Sequence, residues 1–315
     1  MSLASKRTLP LALALAALVV AVFWPVLRGE LVYDDLEVVA QNPALRNAAL
    51  LPEALTGAYW DFLDEESAAR IGYWRPLTTV VLFAAQQVGG GSPAAFHAFS
   101  IALHAAAAIA VFLLVRRLTR GDLPGLCAAV LFALHPVQVE SVAWISAISD
   151  PLQGLLVLLG LVAHLRWREA GSPGLPLVPA LCLGTALMAK ESAIALLPLV
   201  IALDLGRPRT ESRTESRTAS LTEIGTAAQP VLRAYAPLAA ICLLYFLARV
   251  AVFGDWQAGL DRVSLHLELP FSRMLELRAE FFGGALELLA WPAQLTLFRE
   301  VRPVVGSFEP DSCAP

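Results

Sequence analysis

Two adjacent carboxylates, Asp34 and Asp35, stand directly after the first long apolar run of this 315-residue chain. His135 and Glu140, Asp150, the pair Lys190-Glu191, and the arginines Arg75 and Arg249 likewise sit at or near the ends of apolar runs. These are the residue types that move protons and hold anionic groups. Ionisable side chains at membrane depth are costly to desolvate, so they are functional candidates by default. Each also has a structural reading. Adjacent carboxylates point in different directions, so one of Asp34 and Asp35 serves equally as a helix cap or a solvated loop charge. His135-Pro136 suits a helix end, because proline disfavours helical geometry in the residue before it. Lys190-Glu191 suits a tight-turn ion pair. His97 and His104 lie seven residues apart on one helix face and fit bundle packing better than metal binding. Spacing offers no zinc signature, no phosphate-binding glycine loop and no nucleophile elbow, so a soluble-type active site is not expected and no metal-ligand set is assigned.

The elements that position these residues are membrane helices. Hydrophobic residues make up 57% of the chain and charged residues 16%, against about 25% charged in an ordinary globular protein. Mean hydropathy is +0.64. Apolar stretches fall at about Leu9–Leu27, Pro93–Val115, Leu123–Ile145, Pro151–Leu165, Leu175–Met188, Ser192–Leu205, Tyr235–Phe253 and Phe281–Phe298. Several approach the roughly 20 residues of a spanning helix. Ala and Leu dominate them, which suits helix over barrel strand. The sequence therefore predicts an all-α polytopic bundle of about seven or eight transmembrane helices. Lys6 and Arg7 precede the first run as they would in a signal peptide, but the run continues through Trp24-Pro25 with no small-residue cleavage site, which favours an uncleaved first helix and a cytoplasmic N-terminus. Arg116, Arg117 and Arg120, then Arg166 and Arg168, then Arg207, Arg209, Arg213 and Arg217 recur at alternate connections. By the positive-inside rule residues 28–92, 135–150, 189–191 and 254–280 face the external or lumenal side. Pro76–Val88, a dozen apolar residues, reads as interfacial or re-entrant.

The first external loop, residues 28–92, is too long and acidic for a simple connector, and Tyr33, Tyr59, Trp60, Tyr73 and Trp74 argue that it is ordered. The tandem Thr-Glu-Ser-Arg repeat at 210–218 reads as part of a flexible cytoplasmic linker, 206–232. Cys127, Cys182 and Cys242 stand singly in apolar runs and read as core thiols. Residues 1–298 form the membrane module, and 299–315 a polar tail. With net charge −4 and no basic patch beyond the short loops, nucleic acid is not expected as a partner.

Five segments occur in a telling order: Val32-Tyr33-Asp34-Asp35, Tyr73-Trp74-Arg75-Pro76-Leu77-Thr78-Thr79, His135 through Ser146, Lys190-Glu191-Ser192, and Leu289-Ala290-Trp291-Pro292. Together they resemble the membrane part of the transmembrane and tetratricopeptide-repeat O-mannosyltransferases, within the C-type glycosyltransferases, over about residues 10–298. The resemblance implies an enzyme that moves a sugar, often mannose, from a polyprenyl-phosphate carrier to Ser or Thr hydroxyls of an exported polypeptide. It implies Asp34 or Asp35 as base, Arg249, Lys190 and Arg75 as candidates to bind the donor phosphate, and His135, Glu140 and Glu191 as groups that orient the substrate. Apart from the lipid-linked donor the resemblance fixes no cofactor, since some enzymes of this type use a divalent cation at acidic residues and others do not. The partners implied are the polyprenyl-phosphate sugar, an acceptor polypeptide and membrane lipid. The membrane would be the plasma membrane in a bacterium and the endoplasmic reticulum in a eukaryote. Such relatives continue into tetratricopeptide repeats, and no 34-residue helical period is present here, so the tail is expected to mark a truncation. The competing expectations are a non-catalytic membrane scaffold and a lipid or solute transporter.

Overall fold

Alanine and leucine carry high helix propensity, and in lipid a helix satisfies every backbone polar group internally. In the computed structural model the apolar runs accordingly fold as helices. The structure describes residues 3–63, 72–206, 221–258, 271–293 and 295, with the backbone alone for 3–7, 221–230 and 271–274. The linker repeat, the 299–315 tail and the end of the last apolar stretch lie outside the described residues. The helices are α1 Leu3–Phe23, α2 Leu51–Thr56, α3 Pro76–Gly89, α4 Pro93–Thr119, α5 Asp122–Leu134, α6 Gln138–Ala143, α7 Ser149–Glu169, α8 Leu177–Leu187, α9 Leu196–Leu205, α10 Leu221–Phe253 and α11 Phe271–Ala290. The first ten belong to one unit, Met1–Leu260, and α11 to a second, Asp261–Pro315.

Helix α4 is the axis of the first unit. It packs against α1, α3, α5, α6 and α7. Its many alanines, Ala105 to Ala108 among them, leave room for neighbours to approach, as small residues do in membrane bundles. One close approach is to α5, where a Cβ on Gly125 would lie 2.9 Å from the Phe112 carbonyl oxygen. Helix α8 packs on α7, and α10 on α8. Leu131, Leu181, Leu243 and Leu244 point outward and are 57–68% exposed, an apolar exterior that suits lipid. The chain is an integral membrane protein.

Among the described residues four segments are long and apolar enough to cross a bilayer: Thr8–Arg28, Pro93–Thr119, Ile145–Glu169 and Val231–Phe253. The remaining apolar stretches are shorter or interrupted. Helix α5 stops at Leu134 instead of reaching Ile145, because Pro136 forces His135 into extended geometry at φ −62°, ψ 128°. Leu175–Met188 yields the eleven residues of α8, and Ser192–Leu205 divides into a 3-10 turn, Glu191–Ala195, and the ten residues of α9. Helix α11 begins at Phe271, ten residues before the expected apolar stretch, and ends at Ala290 before Trp291-Pro292. Helix α3 has fourteen residues, too few to span, and ends on Gly90 at φ +58°, a left-handed cap that suits glycine.

The described residues of the 28–92 loop pack into the bundle. Val38, Val39, Leu45, Tyr59 and Trp60 form one buried cluster with Leu82 of α3, Phe96 of α4, and Ile145 and Ile148 of the turn before α7.

Candidate active site

The site grows from the chain reversal that follows α1. A 3-10 turn, Trp24–Arg28, follows the helix, and Tyr33 sits in the left-handed region at φ +50°. Such backbone strain in a non-glycine residue persists only where its surroundings hold it. Asp35 N–H donates to Val32 O at 3.0 Å, and Val38 N–H to Asp34 O at 2.8 Å. This reversal sends the two adjacent carboxylates to opposite fates. Asp35 is completely buried, whereas Asp34 is exposed.

A buried carboxylate must be fully hydrogen-bonded. Asp35 Oδ1 accepts from Ser146 N–H at 2.7 Å and from Ser146 Oγ–H at 2.6 Å, and Oδ2 accepts from Val32 N–H at 3.2 Å. Ser146 lies in the 3-10 turn Ile145–Ile148 between α6 and α7. Asp35 thus ties the start of the 28–92 loop to a connection 111 residues away. His135 and Glu140 sit at the other end of that connection. His135 Nδ1 accepts from Val137 N–H at 3.3 Å, and Glu140, in the first turn of α6, is exposed.

Behind the carboxylates stands Tyr59, 7% exposed, whose backbone N–H donates to Tyr73 O at 2.7 Å. Its hydroxyl is buried and has no hydrogen-bond partner among the described residues. Burial pushes the hydroxyl pKa above its ordinary value; the Arg75 charge opposes that shift, and the Asp34 and Asp35 charges add to it. Tyr59 therefore lies within electrostatic reach of both carboxylates and of Arg75.

Arg75 precedes α3, whose first turn is anchored on the α8–α9 connection. With Pro76 at the first helical position, the orphan N–H of Leu77 donates to Met188 O at 3.0 Å and Thr78 Oγ–H to Ala189 O at 2.9 Å. This docking brings Arg75 to Glu191: Nε and Nη2 both donate to Oε2, at 3.3 and 3.1 Å. The guanidinium carbon also lies 3.9 Å from the centre of the Tyr73 ring. Glu191 Oε1 is buried and unpartnered among the described residues. Lys190 takes the other direction and pairs with Asp150 at the start of α7.

Helix α10 closes the arrangement from its far end. Tyr245 and Arg249, four residues apart on one face, both reach the strand-like segment before α3. The Tyr245 ring stacks on Trp74 at 5.5 Å with an interplanar angle of 24°, and its hydroxyl donates to Trp74 O at 3.4 Å. Arg249 Nη2 donates to Gly72 O at 3.0 Å and to Ala258 O, and the guanidinium lies over Phe253. Arg249 forms no ion pair among the described residues, so its positive charge is uncompensated there, whereas Arg75 and Lys190 each hold a carboxylate.

Four of the five motif segments therefore meet in two pairs through direct contacts: Asp35 with Ser146, and Arg75 with Glu191, the latter supported by Leu77 and Thr78 on Met188 and Ala189. The fifth, Leu289 to Pro292, lies in the second unit. Protein O-mannosyl-transferase Tmtc1 of Drosophila melanogaster is 31% identical over 196 residues, 61% of this chain and 22% of that protein. Protein O-mannosyl-transferase Tmtc2 of the same fly is 32% identical over 183 residues, 56% of this chain and 19% of that protein. Human protein O-mannosyl-transferase TMTC1 is 30% identical over 191 residues, 57% of this chain and 22% of that protein. Over somewhat more than half of its length this chain is similar to these protein O-mannosyl-transferases. The matched stretch spans only about a fifth of the O-mannosyltransferases' own length. No family model and no solved structure matches the chain.

Sequence reasoning did not single out Tyr59, Tyr245 or Ser146 as members of the site. The serine was legible only as the last residue of a motif, and the tyrosines only as part of the aromatic content.

Proposed function

We propose that this chain is a membrane glycosyltransferase that moves mannose from a polyprenyl-phosphate carrier to Ser or Thr hydroxyls of exported polypeptides. Its N-terminus is cytoplasmic and the 28–92 loop faces the external or lumenal side. One observation carries the reading: an exposed carboxylate, Asp34, is held beside a buried and fully bonded one, with arginines on the same face of the bundle. The names of the related O-mannosyltransferases supply the sugar and the protein acceptor.

In this reading Asp34 is the base. It accepts the proton of the acceptor hydroxyl as that oxygen attacks C1 of the sugar. The bond from C1 to the phosphate oxygen breaks, and its electron pair leaves with the polyprenyl phosphate. Arg249, whose charge is not compensated, meets the developing charge, and Arg75 assists while it remains paired with Glu191. Lys190, already paired with Asp150, is the weaker candidate of the three. Asp35 is a positioning residue that holds the reversal on which Asp34 stands.

The test is transfer of labelled mannose from polyprenyl-phosphate-mannose to protein in membranes expressing the full chain. Asp34→Asn, expressed at the wild-type level, should lose transfer by roughly a hundredfold or more, the scale of general-base catalysis. An Asp34→Asn variant that transfers at the wild-type rate would remove Asp34 as base. If the wild type transfers no polyprenyl-linked sugar above empty membranes, this chain is a membrane scaffold and not an enzyme.

A further inference from the structure

At the opposite end of the bundle, α4, α7 and α9 enclose a cavity of about 840 Å³ that the proposed chemistry does not use. Its wall is three leucine stripes at helical spacing: Leu114 and Leu118 on α4, Leu161 and Leu165 on α7, Leu199 and Leu203 on α9. Each stripe runs toward the C-terminal end of its helix. There the lining turns polar, with Arg117, Arg120 and Glu169. Arg117 pairs with Glu169 at 2.5 Å, and Arg120, in left-handed geometry at φ +56°, forms no ion pair among the described residues. Two guanidiniums thus stand against one carboxylate at the mouth of an apolar slot.

We infer that this cavity is a binding site for an anionic phospholipid, with an acyl chain along the leucine stripes and the headgroup phosphate at Arg117 and Arg120. The volume is in the range of formed ligand pockets. The charge pattern decides the occupant. A zwitterionic headgroup brings its own cation to the arginines, whereas an anionic one brings net negative charge. Basic pockets between membrane helices on the arginine-rich side take anionic lipid headgroups for this reason. The arginine-rich side is the end that the positive-inside count assigns to the cytoplasm. The site is distinct from the place proposed for the polyprenyl donor and does not rest on the glycosyltransferase reading.

Native mass spectrometry of the purified full chain, with phosphatidylglycerol or phosphatidylcholine of identical acyl chains, tests the site without any transfer assay. The wild type should retain phosphatidylglycerol over phosphatidylcholine by roughly tenfold or more, the scale expected of two guanidiniums near a membrane surface. Arg117→Gln/Arg120→Gln should abolish the preference, and Leu165→Trp, which fills the slot, should lower retention of both lipids. Arg120→Gln alone changes an exposed residue at the helix end and should weaken the preference even if the double variant folds poorly. Glycerol phosphate, the headgroup chemistry without chains, should not displace the lipid. Equal retention of the two lipids by the wild type, a preference unaltered in Arg120→Gln and the double variant, or displacement by glycerol phosphate alone would each overturn the inference.

Discussion

Asp34 and Asp35 are chemically identical and adjacent, yet the backbone reversal at Tyr33 leaves one exposed, as the proposed base, and buries the other as a fastener. Ser146 supplies two of the three donors to the buried carboxylate. Ser146→Ala leaves the two backbone donors in place and removes a charge-assisted bond, so it should lower stability by about 1–2 kcal/mol. Thermal unfolding in detergent measures that loss. The proposed transfer should fall with it only in part, because Asp34, the proposed base, is untouched. Tyr59→Phe makes the contrasting case. Its hydroxyl is buried without a partner among the described residues, so removing it should leave the unfolding temperature unchanged or slightly raised. A substantial drop would mean that the hydroxyl bonds to the fold after all.

At the scale of elements, the bundle depends on close helix approach and on a few polar hubs. Gly125→Ala would place a methyl group 2.9 Å from the Phe112 carbonyl oxygen, and the backbone of α4 would have to move. A cost of about 1–3 kcal/mol is expected, read as a lower unfolding temperature with helicity retained. The other hub is Asp204 in α9. It accepts from Arg168 Nε at 3.0 and 3.1 Å, from His164 Nε2 at 3.0 Å and from the Tyr235 hydroxyl at 2.7 Å. These donors come from α7 and α10, so one carboxylate joins three helices. Asp204→Asn leaves a guanidinium with no carboxylate, at a cost of about 2–3 kcal/mol given that the ion pair is partly exposed. The expected outcome is earlier unfolding of the whole bundle, whereas an unchanged midpoint would show that α10 is held by apolar contact alone.

For the molecule as a whole, the proposed orientation makes Glu53→Cys, on the external loop, reactive to a membrane-impermeant maleimide added outside intact cells, while Ser172→Cys should react only after permeabilisation. The opposite pattern would invert the topology. Much of this protein was legible without a structure. The membrane class, the helical character of the apolar runs and the candidate polar residues follow from composition and from local periodicity, because the bilayer acts on each segment by itself. The break of α5 was legible only as one reading of His135-Pro136, beside an apolar stretch expected to run on to Ile145, although Pro136 constrains its neighbour locally. What the sequence could not decide was pairing. That Asp35 is buried and Asp34 exposed, that Arg75 holds Glu191 across 116 residues, and that Arg249 alone of the three proposed phosphate ligands holds no carboxylate among the described residues are matters of tertiary packing. Burial and hydrogen bonding join residues that no local rule connects, and they, more than residue type, determine which charged group is free to do chemistry.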